Sequence, residues 1–494
     1  MKKIGIVLSF LVIICLNLFA SDNLRISGLN EAQYAHKIVK DSLNNFFYDG
    51  FSFRLDYNDF SFGMKFIAEL PKYDKFNSID KLKSDNISYK WDERFLSYKT
   101  DNFSALAGTF EEAFGTGIVL RVYRDEEFDI DTRLEGGLVK FSPKNWNLKA
   151  LYGALPSEYN YMDFFGVEHD EYDIVSGIDI ETNITKFIKL GASFTSSRIF
   201  PQFAMEEKHI QQEILGIRAL CNLKWMDITS EYATSKKYKL IYEPSQDGTA
   251  VYSYLNTYIG KFTISSAYKR YKNFDFRMND LPTVNHSNEP LHKYIAPGKD
   301  EEGIMGELRF VPNFSNEFIV NYAEAWDRNL PNKSRLKDFY AEMRHDFENF
   351  SITTEYSHLD VNDKDSGIRK KELTPSISVD FSIREISILV KAEYQCIEEV
   401  DFMEEYRHYE PLLQTDIGYK NISLSLVAEY SYKNWDDIWK RPLWLGGEIY
   451  AKILENTELR FFAGKEKGGE ICKNGICRQY PTFKGIRLEL TTTF

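Results

Sequence analysis

Residues 486–494 read Ile-Arg-Leu-Glu-Leu-Thr-Thr-Thr-Phe, and this stretch decides the fold. Side chains alternate between the two faces of an extended strand. The aliphatic residues therefore share one face with Phe494, whereas Arg487, Glu489 and two of the threonines share the other. One apolar face and one polar face predict a half-buried β-strand.

The same alternation recurs upstream. It runs through Ile422–Ser431, Ile386–Tyr394 and Phe262–Lys269, each with mostly apolar residues at every second position. In a bilayer the apolar face meets lipid and the polar face meets the lumen. Because lipid offers no hydrogen-bond partners, every backbone amide must be paired, and the sheet must close on itself.

The connections between the predicted strands are alternately short and long, as in transmembrane barrels with turns on the periplasmic side and loops outside. Long connections include Leu359–Lys371, Gln395–Glu410 and Lys433–Arg441. The predicted short turns are Asn58–Asp59, Asp101–Asn102, Pro143–Asn145, Asn183–Ile184, Leu223–Trp225, Gly260–Lys261, Pro312–Asn316, Asp346–Asn349, Ser382–Glu385, Tyr419–Ile422 and Glu455–Thr457. The sequence therefore predicts an all-β fold, a single closed antiparallel transmembrane β-barrel of about 24 strands, within a range of roughly 22 to 26. Its first strand is expected near Arg25–His36, with both termini in the periplasm.

A secretory signal peptide is predicted at residues 1–20. Met1–Lys3 is basic, Ile4–Phe19 is apolar, and Ala20 offers a small residue before a polar start. A membrane anchor is the alternative, but the apolar run is short for a spanning helix. A lipoprotein site at Cys15 would need a small residue just before it, where the chain has a bulky one. Cleavage is expected after Ala20.

The composition indicates one membrane-embedded domain, residues 21–494. No Pro-, Gly- or Ser-rich linker, charge block or low-complexity run divides this stretch. The chain carries 31 Tyr and 37 Phe, and barrels place aromatic residues in girdles at the two membrane interfaces. Loss of Lys2 and Lys3 with the signal peptide changes the net charge from −13 to −15. The expected location is the bacterial outer membrane, so the lipid bilayer and the barrel-assembly machinery are expected partners.

Two cysteines flank a predicted hairpin turn. The Asn-Gly pair at 474–475 favours a two-residue turn, which places Cys472 opposite Cys477 as a non-hydrogen-bonded pair with close side chains. That spacing and an oxidising compartment favour a disulfide that staples an outer loop. A small metal clip is the alternative, although two thiols alone make a poor tetrahedral site. Cys221 and Cys396 fall on distant strands and should not pair.

Several stretches resemble a family of porin-like outer-membrane barrel proteins of unknown function. The resemblance rests on Ser27–Tyr34, on Gly108–Gly117 followed by Arg121–Asp125, and on the cysteine hairpin with Phe483–Gly485 and the terminal strand. It spans the whole chain at low density. It implies the barrel fold and a surface location, and it brings no known activity or catalytic residues. Phe494, ending an alternating strand, resembles the signal that outer-membrane barrels present to their assembly machinery.

The search for catalytic chemistry is negative. The sequence has no phosphate loop, dinucleotide fingerprint or CxxC, and its eight His form no helix-borne metal pair. We therefore predict no enzyme, no cofactor, no metal site and no nucleic-acid partner, although a hydrolase site on the barrel rim would leave no sequence signature. Glu168–Glu171 with Asp163 and Asp173 could hold Ca²⁺, because hard cations take clustered carboxylates. A solvated acidic outer loop is the simpler interpretation.

A barrel of this width needs something inside it. Barrels of 16 to 18 strands hold a water channel, and wider ones are filled by a plug, yet little room for a plug domain precedes the first strand. The connection Phe110–Asp131 is the predicted constriction, with flexible points at Gly115 and Gly117 and charges of both signs that could select solutes. Those charged residues are Glu111, Glu112, Arg121, Arg124, Asp125, Glu126 and Glu127. A solvated outer loop is the alternative. Lys272–Glu301, the longest connection, is expected to be a lid or an exposed loop.

Two functions follow from this architecture. The main prediction is a channel for passive or selective passage of small solutes, with a loop folded into the lumen. The alternative is a scaffold or docking barrel for an unidentified surface or periplasmic partner protein, with a sealed or partner-filled lumen. The position of Phe110–Asp131, inside or outside the barrel, discriminates between them.

Overall fold

A computed structural model describes most of the chain from Leu24 to Phe494. The described residues are 24–38, 45–70, 88–125, 130–157, 161–162, 168–169, 171–200, 209–238, 246–292, 298–328, 333–364, 366–401, 404–433, 443–473, 476–480 and 482–494. The predicted signal peptide, residues 1–20, lies outside them. No helix in these ranges is long and apolar enough to cross a membrane.

Twenty-four strands form the main sheet, and we number them in chain order. They are β1 (Leu24–Lys37), β2 (Asn45–Tyr57), β3 (Phe60–Leu70), β4 (Ser88–Lys99), β5 (Phe103–Phe110), β6 (Leu134–Phe141), β7 (Trp146–Pro156), β8 (Tyr172–Asn183), β9 (Ile188–Ile199), β10 (Ile210–Leu223), β11 (Met226–Tyr238), β12 (Gln246–Ile259), β13 (Phe262–Lys272), β14 (Glu301–Asn313), β15 (Asn316–Asp327), β16 (Arg335–Asp346), β17 (Phe350–Asp363), β18 (Ile368–Ile383), β19 (Ile386–Asp401), β20 (Glu404–Tyr419), β21 (Ile422–Tyr430), β22 (Leu443–Leu454), β23 (Thr457–Glu466) and β24 (Phe483–Thr493). After β21, the short strand Tyr432–Lys433 pairs with the same neighbouring strand, β20. Each strand pairs antiparallel with the next in the chain.

The sheet closes because β1 also pairs with β24. The register places Leu29 opposite Thr493 and Lys37 opposite Gly485. Gly28 and Phe494 extend this seam, since their backbones exchange two hydrogen bonds with N–O distances of 2.9 and 3.1 Å. The predicted closed, all-β barrel of 24 antiparallel strands is confirmed.

The tight turns lie where the sequence predicts them. Four two-residue hairpins each turn through a residue with positive φ: Asn58 at 51°, Gly260 at 61°, Arg384 at 57° and Lys420 at 52°. Two-residue turns of positive φ match the right-handed twist of the strands they join. The alternate spacing of turns and loops therefore follows from local turn chemistry.

Two connections predicted to be long are largely strand, so this part of the prediction is wrong. β19 and β20 take up most of Gln395–Glu410, and β17 and β18 extend into Leu359–Lys371. These strand ends consist mainly of polar residues. An example is the exposed ion pair between Arg407 and Glu398. Because these strand ends have no apolar face, their sequence shows no alternation of apolar and polar residues. Their backbones nevertheless form the hydrogen bonds of the sheet. Lys433–Arg441 lies outside the described side chains.

The two faces of the wall differ in polarity. Outward-facing side chains such as Ile178, Leu215 and Ile217 are large, apolar and exposed. Aromatic residues flank the tight turns and contact each other in pairs, including Phe60 with the tilted ring of Tyr98 at 4.8 Å between centroids and Phe262 stacked on Phe310 at 4.4 Å. Such girdles mark the membrane interface in barrels. The outer surface therefore suits a lipid bilayer.

Candidate functional site

Two connections fold into the barrel and contact each other there. The first inner loop, residues 111–133, joins β5 to β6, and the second inner loop, residues 273–300, joins β13 to β14. With the adjacent wall they form one buried apolar cluster: Phe110, Phe114, Ile118, Val119, Leu120, Val122, Leu134, Leu138, Leu151, Leu155, Val175, Ile214, Ala233, Ala250, Tyr271, Phe274, Met278 and Leu281. In the connection Phe110–Asp131, the described residues 110–125 thus pack against the inner wall of the barrel. The role of this connection as a constriction stays a prediction.

The first inner loop begins with a short hairpin. Glu112–Phe114 pairs with Leu120–Val122. Gly115 and Gly117 reverse the chain between them with φ values of 58° and 97°, which favour glycine because it has no Cβ. The two glycines therefore shape a fixed turn, whose tip is buried at Ile118.

Glycines in the wall make room for this hairpin. A methyl group at Gly177 of β8 would lie 2.8 Å from Cε2 of Phe114, and one at Gly216 of β10 would overlap Cγ2 of Val119. Glycine within a strand often marks the close approach of another segment. Here it lets the hairpin pack directly on the inner wall.

A buried carboxylate holds the tip of the hairpin. Glu231 of β11 is only 2% exposed. Its Oε2 accepts hydrogen bonds from the backbone N and the hydroxyl of Thr116, both at 2.8 Å. Thr116 therefore anchors the first inner loop to the middle of the wall.

Arg121 links the two inner loops. Its backbone N donates to the carbonyl O of Met278 at 2.8 Å, and its Nη1 lies 2.7 Å from Oδ2 of Asp280. The backbone N of Asp280 donates in turn to the carbonyl O of Gly117 at 3.1 Å. Backbone and side-chain contacts thus combine the loops into one unit, which we call the plug.

Ion pairs fasten the base of the first inner loop to the wall. Glu112 contacts Nζ of Lys140 at 2.6 Å and of Lys149 at 2.8 Å. Burial opposes ionisation, but the two ammonium groups hold the pKa of Glu112 below its usual range. Arg124 pairs with Asp92 of β4.

Two of the remaining predicted constriction residues take part in hydrogen bonding or pairing of the loop backbone. Oε1 of Glu111 accepts a hydrogen bond from the backbone N of Arg124 at 3.2 Å. Asp125 pairs with Ile130 in a second short hairpin. Glu126 lies outside the described residues. The predicted charges therefore mostly hold the loop in place.

Sequence reasoning missed the wall residues that receive the plug, above all Glu231 and Lys149. A signal was available in strands with two apolar faces. Leu151, Val175 and Ile214 point inward and are buried, which does not suit a water-filled lumen. Inward apolar residues on successive strands indicate that something packs against them.

The second inner loop continues across the barrel to β15, β16 and β17. The backbone N of Ser287 donates to Oδ2 of Asp338 at 2.7 Å. His292 lies with Nε2 at 2.6 Å from Asp327 and Nδ1 at 3.1 Å from Asp363. Burial lowers the pKa of His292, but the two carboxylates outweigh it and raise the pKa to about 9. A protonated imidazole donates from both nitrogens, so this residue latches the loop to the wall.

The plug covers one part of the inner wall only. Many inward-facing residues of β8 to β16 are buried, including Asp179, Glu231, Lys269 and Asp338. On β18 to β24 most inward-facing residues remain partly accessible to solvent, among them Ser376, Glu393, Asp416, Glu448 and Glu489. Among the described residues, this part of the wall is therefore polar and partly accessible to solvent.

A cavity of about 380 Å³ lies where the second inner loop meets β16 to β19. Its lining includes the ring of His286, stacked on Tyr340 with 3.8 Å between centroids. Hydroxyl and carboxylate groups form most of the rest, including Ser376 and Glu393. The cavity thus lies at the boundary between the covered and the accessible wall.

The other predicted sites have mixed outcomes. In the register of the hairpin Gly469–Lys473 with Ile476–Tyr480, Cys472 lies opposite Cys477; the disulfide itself stays a prediction. Cys221 and Cys396 are free, as predicted. Phe494 stacks on Phe51 at 6.0 Å and lies over Gly28, and its role in assembly stays a prediction.

The predicted Ca²⁺ ligands do not form a described cluster. Asp173 is buried and pairs with Arg277 while accepting a hydrogen bond from the backbone N of Phe200 at 2.9 Å. Glu171 contacts His209 at 4.0 Å, and the other predicted ligands lie outside the residues with described side chains. Among the described residues, no group of three or more His, Cys, Asp or Glu could hold a metal ion.

Comparisons with known proteins agree with the fold. The profile of a family of unknown function, DUF6029, matches residues 11–302, and no curated protein matches the chain. A chain of the E. coli P pilus tip assembly intermediate PapC-PapD-PapK-PapG aligns with a TM-score of 0.56 and 7% identity, covering 97% of this chain but only 62% of that one. The siderophore receptor PirA from Pseudomonas aeruginosa aligns with a TM-score of 0.49 and 10% identity over 95% of this chain and 80% of its own. At 7% identity, the likeness to the pilus assembly chain shows the fold alone.

Proposed function

Because the chain belongs to the DUF6029 family, whose function is unknown, we propose its role from geometry: a porin-like channel of the bacterial outer membrane, narrowed by its own loops. One observation carries this proposal. The plug packs against one part of the inner wall, and the remaining wall is polar and partly accessible to solvent.

The dimensions of the barrel support a narrowed channel. Closed barrels widen roughly in proportion to strand number, and those of 16 to 18 strands already enclose an aqueous channel. A 24-stranded barrel without internal loops would pass solutes indiscriminately. The plug removes part of that cross-section and leaves a path beside β18 to β24, whose inward residues can contact a passing solute.

The outer surface supports a location in a membrane. The apolar belt and the paired aromatics beside the tight turns match the lipid-facing side of a barrel. We place the tight turns and both termini on the periplasmic side. The bilayer, the barrel-assembly machinery and small solutes are then the partners.

The test is conductance of the refolded protein in a planar lipid bilayer. We expect discrete steps from the wild-type protein. A variant in which a Gly-Ser linker replaces residues 112–122 should give larger steps, because the hairpin no longer occupies the lumen. Strand content by circular dichroism and resistance to SDS at room temperature confirm that each sample is folded.

Absence of steps from both folded proteins would overturn the channel. It would favour the alternative, a scaffold or docking barrel for a partner protein. That alternative has its own readout, since a protein from the native envelope should then co-purify with the wild-type barrel and occupy its lumen.

A further inference from the structure

The cavity beside the plug concentrates negative charge. Five carboxylates line it: Glu289, Asp338, Glu355, Glu372 and Glu393. They come from the second inner loop and from four consecutive strands, β16 to β19. The backbone register aligns two of them at one level of the wall, because Glu355 and Glu393 both lie opposite Ser376.

Lysines neutralise only part of this charge. Nζ of Lys370 contacts Glu289 at 2.9 Å and Glu372 at 3.2 Å. Nζ of Lys391 contacts Glu393 at 2.9 Å. Counting only the described residues, two ammonium groups against five carboxylates leave an excess of three negative charges around the cavity.

The other two carboxylates are held by neutral donors among the described residues. Glu355 accepts hydrogen bonds from the hydroxyls of Ser376 at 2.6 Å and Tyr340 at 3.4 Å. Asp338 accepts one from the backbone N of Ser287 at 2.7 Å. Hydroxyl and amide donors orient a carboxylate and leave its charge in place, so the cavity attracts cations.

The position of the cavity makes this charge relevant to passage. It lies at the boundary between the covered and the accessible wall, and in the proposed channel a solute would pass here between the second inner loop and β18 or β19. Clefts with charge of one sign and low-dielectric walls raise the local concentration of the opposite charge. Rings of acidic side chains select cations in other channels.

We propose that this acidic cavity makes the passage selective for cations over anions, with Glu355 and Glu393 as the residues that determine selectivity. The inference rests on the proposed channel function and adds the class of solute. Small cations such as K⁺ and protonated amines would pass in preference to Cl⁻ or carboxylates.

The experiment is the reversal potential of single channels under a KCl gradient, with KCl as the only salt. The test variant is Glu355→Gln/Glu393→Gln, which keeps the shape and one acceptor oxygen of each side chain and removes both charges. We expect the permeability ratio of K⁺ to Cl⁻ to exceed one and to fall about sevenfold at most in the variant, because each lost carboxylate about 7 Å from a passing cation contributes a Coulomb energy close to RT in water.

The matched control is Glu213→Gln on the outer face of β10. Glu213 accepts hydrogen bonds from Gln211 at 2.8 Å and from the hydroxyl of Tyr238 at 3.3 Å. Its charge lies outside the lumen, so the permeability ratio should match that of the wild type.

The outcomes separate the two proposals. Steps without cation preference, or a preference that the double variant leaves unchanged, would overturn the selectivity and leave the channel standing. Folded protein without any steps would overturn the channel itself. A variant that still conducts but whose ratio falls well below the wild-type value, beside a control that keeps the wild-type ratio, supports both.

Discussion

Nη1 of Arg121 lies 2.7 Å from Oδ2 of Asp280, inside the barrel, and this ion pair joins two loops that are far apart in sequence. The Asp280 side chain is only 4% exposed, whereas that of Arg121 is 39% exposed. The contact is thus buried on the carboxylate side and open to solvent on the other. Removing the cation would take the charge-assisted part of this contact away from the buried carboxylate.

We expect Arg121→Ala to destabilise the protein by about 1–2 kcal/mol. Breaking a fully buried pair costs about 3–5 kcal/mol, but solvent screening at the exposed guanidinium reduces this figure. The free energy of unfolding in detergent, from a guanidinium titration, measures the change. The backbone bond to Met278 survives the substitution, so the barrel should still form.

Arg94→Ala is the control for this prediction. Arg94 pairs with Glu135, and both side chains are more than half exposed. Exposed pairs contribute about 0–1 kcal/mol. Equal losses in the two variants would show that Arg121 does not hold the plug.

Gly216→Val should displace the hairpin tip and raise the unit conductance. Side-chain atoms at position 216 would overlap Val119, and overpacking of a filled interior costs about 1–3 kcal/mol. Gly306→Val is the control, because no atom lies within 4 Å of a methyl group there. If both variants conduct like the wild type, Val119 does not control the width of the passage.

The barrel was predictable because its signals are local. Each tight hairpin depends on a few residues, such as Asn58 or Gly260, and each strand reveals its two faces within about ten residues. Closure follows from the need to pair every backbone amide in lipid. Strand ends beyond the apolar belt, as at Glu398, lack that alternation, and there the prediction failed.

The plug was predictable only in part, because only some of its signals lie close together in the sequence. The first inner loop shows its charges and glycines in one stretch of sequence. Its receptors, Glu231 and Asp280, lie on a distant strand and a distant loop, and nothing local distinguishes them from other lumen carboxylates. Only the three-dimensional register brings Thr116 to Glu231.

Stability should fall as the pH rises through the titration of His292. Burial alone would lower its pKa, but Asp327 and Asp363 raise it to about 9, above the ordinary value of 6.5. A group with a raised pKa in the folded state stabilises the protein fully below about pH 6.5, and this contribution is lost as the pH passes about 9. The shift corresponds to roughly 3 kcal/mol.

Unfolding free energies at pH 6, 7.5 and 9.5 test this prediction. The difference in unfolding free energy between the wild type and His292→Gln should shrink as the pH rises. Comparing the two proteins at each pH cancels the contribution of the other titrating groups. His209→Gln is the control, since His209 contacts only Glu171, at 4.0 Å, among the ion pairs described. A difference that is independent of pH would contradict the latch.

Phe494→Ala should impair assembly in cells more than refolding in detergent. The substitution keeps both backbone hydrogen bonds to Gly28. It removes the stack on Phe51 at 6.0 Å, and such aromatic pairs contribute about 0.5–1.5 kcal/mol. Refolding should therefore decline modestly, whereas loss of a recognition signal would strongly reduce the amount of folded barrel in the outer membrane.

Phe314→Ala is the matched control, because Phe314 is a fully exposed aromatic residue beside a tight turn. Equal losses in both assays would assign Phe494 a role in the seam and none in recognition.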